Sequence, residues 1–132
     1  MSIARDPRIR ALEVARQSKC ATRMGAVIVK HGKILGESCN YGCGDAGVHA
    51  EYAAVHNVFQ KGLRPKDLWG ARIIVAGILK SGNFVRTARP CTETMKKFKG
   101  REHVPCMKFL REHGINEVEY IIKNGSWVNE PV

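Results

Sequence analysis

The chain has 132 residues, with 22 Lys and Arg against 12 Asp and Glu, a net charge of +10 at pH 7. Its 44 % apolar and 26 % charged residues are those of one ordinary globular domain and exclude a disordered or fibrous chain. No apolar run approaches the ~18–20 residues of a membrane-spanning helix, and the positive excess predicts anionic partners such as nucleotides or nucleic acid.

No repeat, low-complexity tract or linker interrupts the sequence, so residues 1–132 are read as a single domain. The Arg-rich start superficially suggests a transit peptide, but Asp6, Pro7 and Glu13 interrupt it and no apolar signal core follows. A cytoplasmic protein without a membrane partner is the expectation. Asp6 followed by Pro7 predicts a helix start, continued by Ile9, Leu12, Ala15 and Arg16 at helical spacing. Residues 25–36 read as a β-hairpin turning at His31-Gly32, and the Gly-rich stretch from Tyr41 to Gly47 suits neither regular element. A helix is expected from His49 to Lys61, stopped by Gly62. The nearly continuous apolar run from Ala71 to Leu79 predicts a strand covered on both faces. Ser81-Gly82 turns the chain back toward Pro90-Cys91. A short helix is expected from Pro105 to His113, then a hairpin of 118–122 and 126–128 around Asn124-Gly125. The order α-β-β-α-β-α-β-β predicts an α/β fold, a three-layer α-β-α sandwich around a five-stranded mixed sheet whose last two strands are antiparallel.

Five cysteines is an odd number for a chain with no secretory signal, so a disulfide framework is not expected and metal binding or catalysis becomes the question. The informative residues are His49-Ala50-Glu51, Pro90-Cys91 and Pro105-Cys106. A hydrolytic zinc site takes three nitrogen or sulfur ligands, one open position for water, and a carboxylate that moves protons without binding the metal. His49 and Glu51 at a helix start reach one cavity, and a helix N-terminus such as that of Cys106 favours a thiolate.

On these residues the chain resembles the cytidine deaminase superfamily, whose signature is H-x-E followed by P-C-x-x-C. The stretch Cys106-Met-Lys-Phe-Leu-Arg-Glu-His-Gly114-Ile115, with Val118 and Tyr120, is similar to the family's sequence after its second cysteine. The resemblance spans residue 25 to about residue 127 and implies a cytidine-deaminase-like fold with Zn2+ as cofactor. It also departs from the family pattern. Thr94 stands three residues after Cys91, where the second cysteine belongs, and His103 stands three before Cys106. Two ligand sets are therefore open. In one, His49, Cys91 and Cys106 hold the metal and the 14 residues from Thr92 to Pro105 are an insertion. In the other, His103 replaces Cys91. The first is preferred, because Pro90-Cys91 follows the apolar strand and its return as in the family.

The resemblance further implies hydrolytic deamination with Glu51 as the catalytic proton carrier. It makes Asn40 a candidate contact to sugar or base, although a strand-end asparagine satisfying local backbone is the equal alternative. The backbone N–H of Ala50 is the implied partner of the pyrimidine carbonyl. The implied substrate is a free cytosine nucleoside or nucleotide, and the small members of the family imply a homo-oligomer. The competing substrate is cytosine or adenine within single-stranded DNA or RNA, held by Lys96, Lys97, Lys99 and Arg101 around Phe98. Blander readings hold elsewhere: Cys20 and Trp69 as core, Cys39 and Cys43 as small buried thiols beside the Gly-rich stretch, His56 as structural, and His31 and His113 as solvated.

Overall fold

The computed structural model describes residues 6–42, 48–79, 85–91 and 105–132. Asp6 caps the first helix, α1 (Pro7–Arg16), by accepting the Arg8 N–H at 2.9 Å. Strands β1 (Thr22–Lys30) and β2 (Lys33–Cys39) form the expected hairpin, with both turn residues at positive φ, His31 at 52° and Gly32 at 73°. That is the mirror-image turn whose twist matches the strands it joins. Helix α2 (Ala50–Gln60), strand β3 (Arg72–Leu79) and helix α3 (Cys106–Glu112) follow, and β4 (Glu117–Ile121) and β5 (Trp127–Pro131) close the order.

The five strands lie in the order β2-β1-β3-β4-β5. Only β3 and β4 run parallel, joined by a crossover that includes α3, and the remaining neighbours are antiparallel. Helices cover both faces, as the sandwich reading requires. Two glycines set how closely they approach. A Cβ on Gly25 would stand 2.4 Å from the Ala11 carbonyl oxygen, and one on Gly36 would stand 2.5 Å from Val58 Cγ2. So α1 rests on one face of the first hairpin and α2 on the other, at distances no side chain would permit. Between the layers sit Ile28, Ile73, Ile74, Val75, Val58 and Leu110, all fully buried.

Three expectations need amendment. The last strand runs on to Pro131 rather than stopping near Val128; β5 is an edge strand, where a proline's missing N–H costs no ladder bond. Trp69 is 64 % exposed rather than core, because it stands after the 3-10 turn of residues 65–68 and lays its ring beside Gly114 instead of under the sheet. Cys20 is buried as expected, but it is disulfide-bonded, against the expectation that the chain holds no disulfide framework.

The far ends of the chain are tied by Arg8. Its Nε and Nη2 donate to the two carboxylate oxygens of Glu119, both at 2.8 Å, and Glu119 is only 2 % exposed. The hydrogen bonds from Arg8 hold the Glu119 carboxyl below its ordinary value despite burial. The contribution of the pair is therefore full above the ordinary glutamate pKa of ~4.3 and fades as pH falls through the lowered one. Glu119→Gln is expected to cost about 1–2 kcal/mol at neutral pH, since the half-exposed Arg8 keeps access to water. Urea midpoints taken from pH 7 to pH 3 should fall more steeply for the native chain than for this variant; parallel curves would contradict the assignment.

Candidate metal centre and cavity

Three separate pieces of chain deliver the candidate residues to one place. The first is the entry to α2. Tyr41 and Val48 pair across an antiparallel bridge through bonds of 3.2 and 2.8 Å, and His49 then stands in extended conformation immediately before Ala50 begins the helix. Glu51, on the first turn, is 4 % exposed.

The second piece is the segment 85–91. It runs back along β3, with Arg86 N–H donating to the Gly77 carbonyl and Ala88 N–H to the Ile121 carbonyl, each at 2.9 Å. Arg89 clasps Glu130 of β5 at 2.8–2.9 Å, and the Tyr120 hydroxyl donates to the other oxygen of the same carboxylate at 2.8 Å. Cys91 thus ends a strap fixed on both sides.

The third piece is the start of α3. The Cys106 N–H donates to Cys91 Sγ and the Met107 N–H to the Cys91 carbonyl, both at 3.1 Å. These are N–H groups a helix leaves without internal partners, and here they fold around the cysteine. On its outer side α3 is seated against α2 by stacking of Tyr52 on Phe109, ring centroids 4.0 Å apart.

The outcome is a close triad. The donor atoms of His49, Cys91 and Cys106 lie within 4.8 Å of one another, with His49 Nδ1 3.1 Å from Cys106 Sγ and 3.9 Å from Cys91 Sγ. One imidazole and two thiols in this spacing suit zinc, which takes nitrogen and sulfur donors in a tetrahedron. Crowding perturbs two of these groups. The hydrogen bond with Cys91 raises His49, and the hydrogen bond with Cys91 together with burial raises Cys106. A divalent cation among such groups deprotonates the thiols outright. Burial also raises Glu51, which favours its protonated form. A carboxyl raised in this way is a stronger base than an exposed one.

Beside the triad opens a cavity of about 460 Å³. It is lined by His49, Ala50, Glu51 and Cys91, by Thr22 and Met24 of β1 with Asn40, and by Arg86, Thr87 and Arg89. The sequence reading had singled out five of these and missed the rest. Thr22 and Met24 alternate onto one face of β1, and that period was the available signal. Asn40 lines the cavity, but its amide also bridges backbone, accepting from Met24 N–H and donating to the Thr22 carbonyl at 2.9 Å each. His56 and His113 lie elsewhere, in a groove with Phe59 and Phe109; His56 is exposed, while His113 caps α3 with its ring tilted against Phe109, centroids 4.3 Å apart. His103, Lys96, Lys97, Lys99, Arg101, Phe98 and Cys43 fall outside the described residues.

The sequence profile of the cytidine and deoxycytidylate deaminase zinc-binding region matches residues 7–122. The chain belongs to this family, and zinc is the cofactor that its His-Cys-Cys group fits. None of the curated proteins compared with the chain matches it significantly. Among solved structures it is similar to the diaminohydroxyphosphoribosylaminopyrimidine deaminase/5-amino-6-(5-phosphoribosylamino)uracil reductase of Thermotoga maritima, with 29 % identity, TM-score 0.58 and 85 % of the chain covered. The match spans only 27 % of that longer protein. The same fold occurs in the dCMP deaminase of cyanophage S-TIM5, at 18 % identity and TM-score 0.57 over 86 % of this chain and 78 % of that one. It occurs again in the cytidine deaminase of Burkholderia pseudomallei, at 19 % identity and TM-score 0.57 over 99 % and 93 %. No helix among the described residues is long and apolar enough to cross a membrane.

The Glu130 carboxylate joins two elements, so its loss should be felt by both. Glu130→Ala is expected to cost about 1 kcal/mol, the worth of a partly exposed charge-assisted pair. Chemical denaturation should detect it, and Tyr120→Phe in the same background should add less than it does alone. Full additivity would show that the two bonds are independent.

Proposed function

We propose that this protein is a zinc-dependent hydrolytic deaminase that converts a cytosine nucleoside or nucleotide, of the cytidine or deoxycytidylate type, to the uracil product with release of ammonia. The observation that carries the reading is the buried Glu51 beside the His49, Cys91 and Cys106 donors, on a cavity large enough for a small ligand. In this reading those three side chains hold zinc and Glu51 does not.

Zinc in such a site supplies water acidified toward a pKa of ~7. Glu51 takes a proton from the attacking water and delivers it to the ring nitrogen next to C4. As the C4–O bond forms and the C4–N bond breaks, Glu51 hands the water's second proton to the departing amine. Atoms and charges balance: one water is consumed and one ammonia leaves. The raised proton affinity of Glu51 serves this double role, because it makes the carboxylate a stronger base toward the attacking water and leaves an acid that passes the proton on. The Ala50 N–H, at the start of α2 and without a helical acceptor, is the candidate donor to the pyrimidine carbonyl. Asn40 holds the β1–β2 end and offers its remaining amide hydrogen to the sugar. The reading includes assembly as a homo-oligomer. Polynucleotide deamination gains no support from the described residues, since the basic segment that favoured it lies outside them.

Two substitutions separate metal binding from chemistry. Cys91→Ala should abolish zinc retention measured by atomic absorption, while His103→Ala retains it; the reverse would transfer the ligand role to His103. Glu51→Gln should keep zinc and fold but lose turnover by at least 10²-fold, the contribution of a positioned acid–base group. Ammonia release from cytidine, deoxycytidine and their monophosphates is the direct assay, and silence toward all of them with zinc-loaded protein would remove the proposal.

A further inference from the structure

The geometry points to Arg86, together with the Thr22 hydroxyl, as the seat for one substrate phosphate, which makes the enzyme selective for a nucleoside monophosphate over the nucleoside. This inference rests on the deaminase reading above and specifies the substrate that the same cavity takes. Burial grades along the cavity: Ala50 and Glu51 are buried, whereas Arg86 and Thr87 are exposed. A ligand whose base reaches Glu51 therefore carries its sugar and any 5′ substituent toward Arg86.

Two arginines line that mouth, and they differ. Arg89 is neutralised by Glu130 at 2.8 Å. Arg86 donates from Nη1 to Thr22 Oγ1 at 3.1 Å and meets no carboxylate among the described residues. Its position is built rather than accidental. Its backbone is bonded to Gly77, and a Cβ on Gly77 would lie 3.0 Å from Arg86 Cγ and 2.9 Å from Met24 Sδ. The bare glycine makes room for the arginine stem to cross β3 and reach Thr22 of β1. A guanidinium presents a fork of N–H donors that matches phosphate oxygens, and a neighbouring hydroxyl adds another donor. One cation with no carboxylate partner among the described residues suits one phosphate rather than a chain of them.

The test uses the zinc-loaded full chain with Glu51→Gln to stop turnover, and titrates deoxycytidine and deoxycytidine 5′-monophosphate by calorimetry. The monophosphate should bind roughly 10- to 100-fold more tightly, the range of a charge-assisted hydrogen bond. Adding Arg86→Gln should collapse that ratio toward one, and Arg86→Lys should restore part of it. Equal affinities, no binding of the monophosphate, or a ratio that survives Arg86→Gln overturns the assignment. Tighter binding of a single-stranded oligonucleotide carrying one cytosine than of the monophosphate also overturns it, by making the phosphate that of a polymer. Ammonia release with Glu51 intact is measured in parallel. A phosphate ratio without release defeats the deaminase reading alone, and release with a ratio of one defeats the Arg86 assignment alone.

Discussion

Bringing one imidazole and two thiols within 4.8 Å of each other requires three backbone segments, far apart in sequence, to end at the same point. Much of the surrounding structure serves that convergence. Gly36 lets α2 settle onto β2, which fixes where its first turn lies. The return segment is stitched to Gly77 and Ile121 on the sheet, and α3 begins by closing its free N–H groups around Cys91. A strap held only at one end would leave Cys91 to wander by more than a zinc–sulfur bond tolerates. Both ends are held here, by backbone on one side and by Glu130 on the other.

The net charge of +10 looks different once its parts are placed. The stretch of 1–30 holds seven basic residues against two acidic ones, yet Arg8 and Arg10 spend their charge inside the molecule, on Glu119 and Glu37. Arg89 is likewise committed to Glu130. A sequence count treats every arginine as equally available. Packing divides them into those that hold the fold and those left to meet a ligand, and only the second group bears on what the cavity binds.

Most of the architecture was legible because its signals are local. Asp6-Pro7, His31-Gly32 and Asn124-Gly125 each determine a cap or turn within a few residues, and the apolar run of β3 has the length and composition of a covered strand. The triad was legible through a resemblance in spacing, not through periodicity. What escaped lies across strands. Thr22 and Arg86 meet over Gly77 at a sequence separation of 64, and no local pattern encodes such a meeting. Trp69 misled because an aromatic beside a strand is usually buried, and its exposure depends on a distant turn at Gly114.

The Arg8–Glu119 pair joins residues 111 positions apart, and that separation has a consequence for how the protein is made. In a chain emerging from the ribosome, α1 and the β1–β2 hairpin appear well before β4. Until β4 arrives, Arg8 lacks the Glu119 carboxylate, although the strands that α1 mainly covers, β1 to β3, already precede it. The opening helix can therefore seat on the first hairpin, where Gly25 admits it, while the clasp that ties it to the parallel half of the sheet closes only once β4 is in place.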